Sequence, residues 1–281
     1  NGSWSVAAPA TAPQGRRNHS LAFNPVSGKV VLFGGFRSTR LNDTWEWDGV
    51  SWTQKTTTSA PSAREGHAMA FDATRGTVIL FGGLAASLSA ETWEWNGVNW
   101  QQMSPSSSPV GRSQHTMAFD ATRQRIVLFG GSNPGALGDT WEWDGSTWIA
   151  RFSAHSPSPR MDQGMTFDVA RDRCVMFGGY DGQQHSNDTW EWDGQDWSLI
   201  PSSIAPSPRG TQCVTYDEQR QQVVLFGGGN ISQYLGETWL VASAGTAAFG
   251  AGCGNHPLGL ERVAGVRPLL GQPCTARITN S

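Results

Sequence analysis

Five Gly-Gly pairs divide this chain into nearly equal lengths. They begin at Gly34, Gly82, Gly130, Gly178 and Gly227, at intervals of 48, 48, 48 and 49 residues. A period of that size restricts the chain to repeat architectures, in which one supersecondary unit stacks on copies of itself. Each pair ends a run such as Val30-Val31-Leu32-Phe33 or Val78-Ile79-Leu80-Phe81. Short apolar runs with β-branched residues read as buried strands. A second strand lies upstream, at His19 to Asn24, His67 to Asp72 and His115 to Asp120. A third follows at Thr44-Trp45-Glu46-Trp47, and a fourth starts at Trp52. The last two flank Asp48-Gly49, repeated as Asn96-Gly97, Asp144-Gly145 and Asp193-Gly194. Such dipeptides mark tight hairpins, because the turn needs positive φ. Four antiparallel strands per unit describe a propeller blade. No long 3.6-residue periodicity competes, so very little helix is expected.

The units resemble kelch repeats, running from Arg-x-x-His through Phe-Gly-Gly and Asn-Asp-Thr-Trp to a final Trp. The resemblance covers residues 1–241 in five copies and implies four-stranded blades. The expected fold is an all-β, five-bladed propeller, with blades at about 19–54, 67–102, 115–150, 163–199 and 212–241. Many kelch propellers have six or seven blades, so five copies leave either a closed five-bladed ring or a fragment of a larger one. Asn1-Gly2-Ser3-Trp4 is a shortened copy of the turn and outer strand, and the last repeat stops after Thr238-Trp239-Leu240-Val241. Residues 1–6 are therefore expected to complete the last blade and close the ring, which removes two aggregation-prone edges. Residues 242–281, rich in Ala, Gly and Pro, read as a linker or the start of a small β module. They weakly resemble Gly-Cys tails that follow repeats in secreted bacterial proteins. Cys253 and Cys274 within them could pair. Cys174 and Cys213, in strand-like runs, read as buried thiols.

The 14 Trp fit the repeat. Each complete unit uses three, as at Trp45, Trp47 and Trp52, and the last uses Trp239 with Trp4 supplied by closure. Residues two apart face the same side of a strand, so the economical reading is packing between blades rather than ligand stacking. Glu46, Glu94, Glu142 and Glu191 face the other side and want a cation or a hydrogen-bond donor. A further acid precedes each Thr-Trp, at Asp43, Glu91, Asp139, Asp188 and Glu237. Arg16, Arg64, Arg112, Arg160 and Arg209 recur at the same period and can meet these acids as a structural ion-pair ring, or line an anion-binding mouth.

Three residues after each Arg come His19, His67, His115, Gln163 and Gln212. They start the innermost strands. Three imidazoles on consecutive blades are a candidate for a divalent metal, although such side chains more often bond a neighbouring carbonyl. No other cofactor is expected. Glu65 and Asp162, in the same connections, are conceivable acid–base residues. The loops after Gly-Gly diverge most, and they carry Phe36, Arg37, Arg40, Tyr180, Asp181, Gln183, His185, Gln233 and Tyr234. Aromatic, amide and charged groups on loops of a rigid scaffold suit a binding face for protein or glycan.

Net charge is −3 at 15% charged residues, which attracts neither nucleic acid nor an anionic membrane. No apolar run is long enough to span a bilayer. Galactose-oxidase-like kelch enzymes use a copper site with paired Tyr, one crosslinked to Cys, and no matching residues occur. GxSxG, P-loop and HExxH motifs are also missing. The resulting expectation is a monomeric, secreted or envelope-bound binding module. The alternative is a carbohydrate-active lyase or hydrolase, metal-assisted or not, at the channel mouth.

Overall fold

The computed structural model describes residues 7–242 and the backbone of 249–250. Those residues form a five-bladed β-propeller with no helix. Blade 1 is built from β1 (Ser20–Asn24), β2 (Lys29–Phe33), β3 (Thr44–Trp47) and β4 (Trp52–Lys55). Blade 2 follows with β5 (Ala68–Asp72), β6 (Thr77–Phe81), β7 (Thr92–Trp95) and β8 (Trp100–Met103). Blade 3 holds β9 (Thr116–Asp120), β10 (Arg125–Phe129), β13 (Thr140–Trp143) and β14 (Trp148–Arg151). A small hairpin, β11 (Ser132–Asn133) with β12 (Gly135–Ala136), stands in its loop. Blade 4 contains β15 (Gly164–Asp168), β16 (Arg173–Phe177), β17 (Thr189–Trp192) and β18 (Trp197–Ile200). In blade 5, β19 (Cys213–Asp217), β20 (Gln222–Phe226) and β21 (Thr238–Ala242) are joined by the two-residue β22 (Phe249–Gly250).

Every blade is an antiparallel meander, and register repeats with the sequence. Leu32 lies between Leu21 and Trp45, as Leu80 lies between Met69 and Trp93. The innermost strands β1, β5, β9, β15 and β19 stand side by side in that order. Inner hairpins turn on Asn24, Asp72, Asp120, Asp168 and Asp217. In four of these, Asp72 to Asp217, the carboxylate caps the turn and pairs with an Arg three residues on. Outer hairpins turn on Asp48, Asn96, Asp144 and Asp193, whose Oδ1 accepts the next two free backbone N–H groups. This is the Asx geometry that favours those residues in turns.

The core lies between blades. Met69, Val78, Leu80, Trp95 and Trp100 of blade 2 pack on Ala22, Val31 and Phe33 of blade 1. The next two junctions repeat this cluster. Within a blade the outer two Trp meet across β-strands, with Trp95–Trp100 and Trp143–Trp148 centroids 5.4 Å apart. The outermost then reaches into the previous blade. Trp100, Trp148 and Trp197 each donate Nε1–H to Thr44, Thr92 and Thr140 at 2.9 Å. Trp95, Trp100, Trp143, Trp148, Trp192 and Trp197 are fully buried, as the packing expectation required.

Two expectations need comment. Closure by residues 1–6 lies outside the described residues, and the outer edge of β21 pairs with Phe249–Gly250 over two residue pairs. The pairing of Cys253 with Cys274 lies outside them as well. Cys174 is buried as expected, but Cys213 is exposed. Its counterparts Ala68 and Gly164 are covered by a neighbouring blade, and β19 has none on that side among the described residues.

Candidate functional site

The end of the propeller that carries the Gly-Gly loops is organised by the five Arg. Arg16 donates to Asp43 at 2.5 and 2.8 Å, Arg112 to Asp139 at 2.7 Å twice, and Arg160 to Asp188 at 2.6 and 2.9 Å. Arg64 and Arg209 reach Glu91 and Glu237 at 2.5 and 2.8 Å. Each guanidinium also donates to the carbonyl of the first Gly of its own Gly-Gly pair, at 2.9 to 3.0 Å. The same acid accepts the indole N–H of the first Trp, so Arg, acid and Trp form one triad per blade. Burial raises the Asp43, Asp139 and Asp188 carboxyls, but the Arg and Trp bonds outweigh it and hold them below the usual range. These five Arg are the structural ion-pair ring. Their buried guanidinium groups are committed to carboxylates and carbonyls, which leaves the anion-binding reading without open donors.

Backbone bonds tie four of the five Arg to the blade before them. Gly35, Gly83, Gly131 and Gly179 donate to the carbonyls of Arg64, Arg112, Arg160 and Arg209, at 2.8 to 2.9 Å. A Cβ on any of the first glycines would meet those carbonyls at 2.5 to 2.8 Å, which is why Gly34, Gly82, Gly130 and Gly178 stay glycine. Nearer the axis, Gly66 donates to Asn18, Gln114 to Gly66, Asp162 to Gln114 and Thr211 to Asp162. Asn18, Gln114, Asp162 and Thr211 all have φ between 54° and 59°. Four non-Gly residues held left-handed at one end of a scaffold are unusual. The ring was partly legible, since Asn, Gly and Asp tolerate that conformation; Gln114 and Thr211 give no such signal.

Two of the three imidazoles pack against aromatic rings. His67 and His115 are buried edge-on against Phe33 and Phe81 of the preceding blade, at centroid distances of 5.5 Å. At the same place Gln163 and Gln212 donate to the Phe129 and Phe177 carbonyls, at 2.8 and 2.7 Å. Desolvation, then the charge of Arg64, pushes His67 down to about 3, and burial with Arg112 pushes His115 well below its ordinary value. They are neutral spacers between blades. Among the described residues no three His, Cys, Asp or Glu side chains form a metal-holding group.

Glu65 and Asp162 are likewise apart in role. Glu65 accepts from Asn18 at 3.0 Å and pairs with Arg40 at 3.3 Å. Asp162 accepts from Gln114 at 3.0 Å, and burial raises its carboxyl despite that bond. The divergent loops all leave the same end of the blades, and those of blades 4 and 5 border one cavity. Arg17, which sequence reading passed over, lies 5.0 Å above the Phe36 ring, and Arg37 bonds Gln14. Tyr180 stacks on His185 at 4.8 Å. Asp181 is spent on its own loop, accepting from Gln183 and Gln184. Tyr234 is 97% exposed and, with His185, Thr211 and Gly229, borders an open cavity of about 360 Å³.

A family model described as the KLHDC2/KLHL20/DRC7 Kelch-repeats domain matches residues 86–244. The chain belongs to the kelch-repeat family. No curated protein matches it. Kelch propellers are protein-interaction modules, and in this one the repeated residues are consumed by the framework while the unlike ones collect at the mouth. No helix among its described residues is long and apolar enough to cross a membrane.

Proposed function

We propose that this kelch propeller is a binding module that receives a protein partner on its mouth face. The observation that carries the reading is a division of labour. The framework Arg groups and their acids are paired with one another, whereas Arg17, Phe36, Arg37, Tyr180, Ile231, Gln233 and Tyr234 stand on non-repeating loops at that end. Aromatic and Arg groups on a preorganised scaffold are what protein interfaces use as anchors. A glycan is the second reading, supported by exposed Tyr234 beside amides such as Gln233. The enzyme alternative is weaker, because His67 and His115 are buried between blades rather than open to a substrate. A secreted or envelope location is proposed on the sequence resemblance alone.

The test is selection of displayed peptides on the immobilised protein, with binders retested on F36A, Y180A and Y234A. Loss of binding in these, with V98A at the opposite end unaffected, supports the reading. Binding indifferent to the three mouth variants sinks it. A glycan-array signal with the same dependence moves the ligand class to glycan. Turnover in a reducing-end assay moves it to the enzyme.

A further inference from the structure

The charges of the mouth are unevenly shared. Blade 1 brings Arg17, Arg37 and Arg40 to it. Blades 4 and 5 bring Asp162, Asp181 and His185, and their only cations at this end are Arg160 and Arg209, both already paired. The other carboxylates of this end have a partner. Asp43, Glu91, Asp139, Asp188 and Glu237 each hold an Arg of the ring, and Glu65 has Arg40. Asp181 is taken up by backbone N–H groups of its own loop. Asp162 is half-buried and, among the described residues, has no Arg or Lys beside it. Its Oδ2 accepts from the neutral Gln114 amide at 3.0 Å, which leaves Oδ1 for an incoming donor. Burial raises the Asp162 carboxyl, and a cation beside it would offset that cost.

A formed cavity adjoins that carboxylate. It is the open space of about 360 Å³ walled by His185, Thr211, Gln233 and Tyr234. Thr211 N–H donates to the Asp162 carbonyl at 2.8 Å. A Cβ on Gly210 would stand 3.3 Å from both Asp162 Cβ and His185 Cδ2, so the acid and the imidazole flank one glycine. His185 is held by its stack on Tyr180. The Tyr234 loop is fixed before any ligand arrives, because Asn230 Oδ1 accepts from Ser232 and Gln233 at 2.9 and 3.1 Å and Leu235 donates to Gly228 at 2.8 Å. We propose that this cavity takes a basic side chain of the partner, arginine in preference to lysine, laid on the Tyr234 and His185 rings with its guanidinium turned to Asp162. A planar guanidinium stacks on an aromatic face while it bonds a carboxylate, which a compact ammonium does less well. Arg17, Arg37 and Arg40 repel the same side chain from blade 1, so the charge pattern also sets which way the partner lies. The inference rests on the mouth-face reading and adds the partner's chemistry to it.

The chain has three Tyr, which makes a local test available. Full-length protein labelled with fluorotyrosine is titrated with the blocked peptide Gly-Arg-Gly, and its fluorine resonances are assigned with Y180F, Y216F and Y234F. Tyr216, whose hydroxyl accepts from Ala170 at the opposite end, is the internal control. The Tyr234 and Tyr180 signals are expected to move and saturate while Tyr216 stays. Citrulline in place of Arg keeps the shape and drops the charge, and it should weaken binding about tenfold or more. D162N should do the same, and Asn suits the φ of 59° that Asp162 holds. The citrulline comparison stands on the wild-type chain even if D162N does not fold. Equal binding of the Arg and citrulline peptides overturns the proposal. So does a folded D162N that binds Arg as tightly as the wild type, a Glu peptide that binds more tightly, or no movement at Tyr234. If displayed peptides without a basic residue still depend on Phe36 and Tyr234, this inference fails and the mouth-face reading survives. Absence of any mouth binder sinks both.

Discussion

The junction between blades 2 and 3 and the loops of the mouth are made by the same repeats and obey opposite rules. At the junction, Trp148 fills a slot against Phe81 and bonds Thr92, Arg112 pairs with Asp139, and His115 lies on Phe81. Every group there has a counterpart one period away. At the mouth the equivalent loop positions are Phe36, Leu84, Ser132, Tyr180 and Gly229, which share a backbone bridge and no side-chain chemistry. Repetition is therefore a record of packing demands, and its failure marks where packing makes none.

The sharpest way to break this contrast is to truncate a junction anchor. W148A should cost roughly 3–5 kcal/mol in denaturant unfolding, from lost burial, the cavity and an orphaned Thr92 hydroxyl. A cost near that of a surface site would mean that the junctions are not the core. Next, R112A removes a buried guanidinium and frees Asp139 together with the Gly130 carbonyl. About 3 kcal/mol is expected, discounted because Asp139 is partly solvated, and a charge-preserving R112K should recover less than half of it.

A pH-dependent effect separates the His junctions from the Gln junctions. His67 is neutral in the fold down to about pH 3, but its unfolded form takes up a proton below about pH 6.5. Stability is therefore lost as pH falls below that value, by about 1.4 kcal/mol per pH unit for a fully shifted histidine. The H67Q/H115Q double variant, which copies what Gln163 and Gln212 already do, should fold and flatten the unfolding free energy between pH 6.5 and 4. An unchanged slope would place the titration elsewhere. At the small end, Y234A should change stability by less than about 0.5 kcal/mol. A larger loss would make that loop part of the framework.

Much of this was readable before any coordinates. The spacing of Gly34, Gly82, Gly130, Gly178 and Gly227 gave five blades, and the Arg and acid offsets gave five ion pairs, all found. Legibility ended where a partner lay in another repeat. Trp95 donates to Glu46 at 3.4 Å and Trp192 to Glu142 at 3.1 Å, each one blade back, and no local pattern names such a partner. The left-handed residues Gln114 and Thr211 were invisible for the same reason, since their φ is imposed by the neighbouring blade. Cys213 was read as buried because its strand is apolar, yet burial depends on what stands beside the strand.

The sequence by itself determined the unit: its four strands, its turns, the Trp positions and the Arg–acid pairing, because period, propensity and turn chemistry act over a few residues. Tertiary structure alone decided which carboxylate of another blade an indole reaches, why the imidazoles are dry, and why Cys213 is exposed among the described residues. Those outcomes depend on neighbours about 48 residues away, set by how blades stack rather than by how one blade is written.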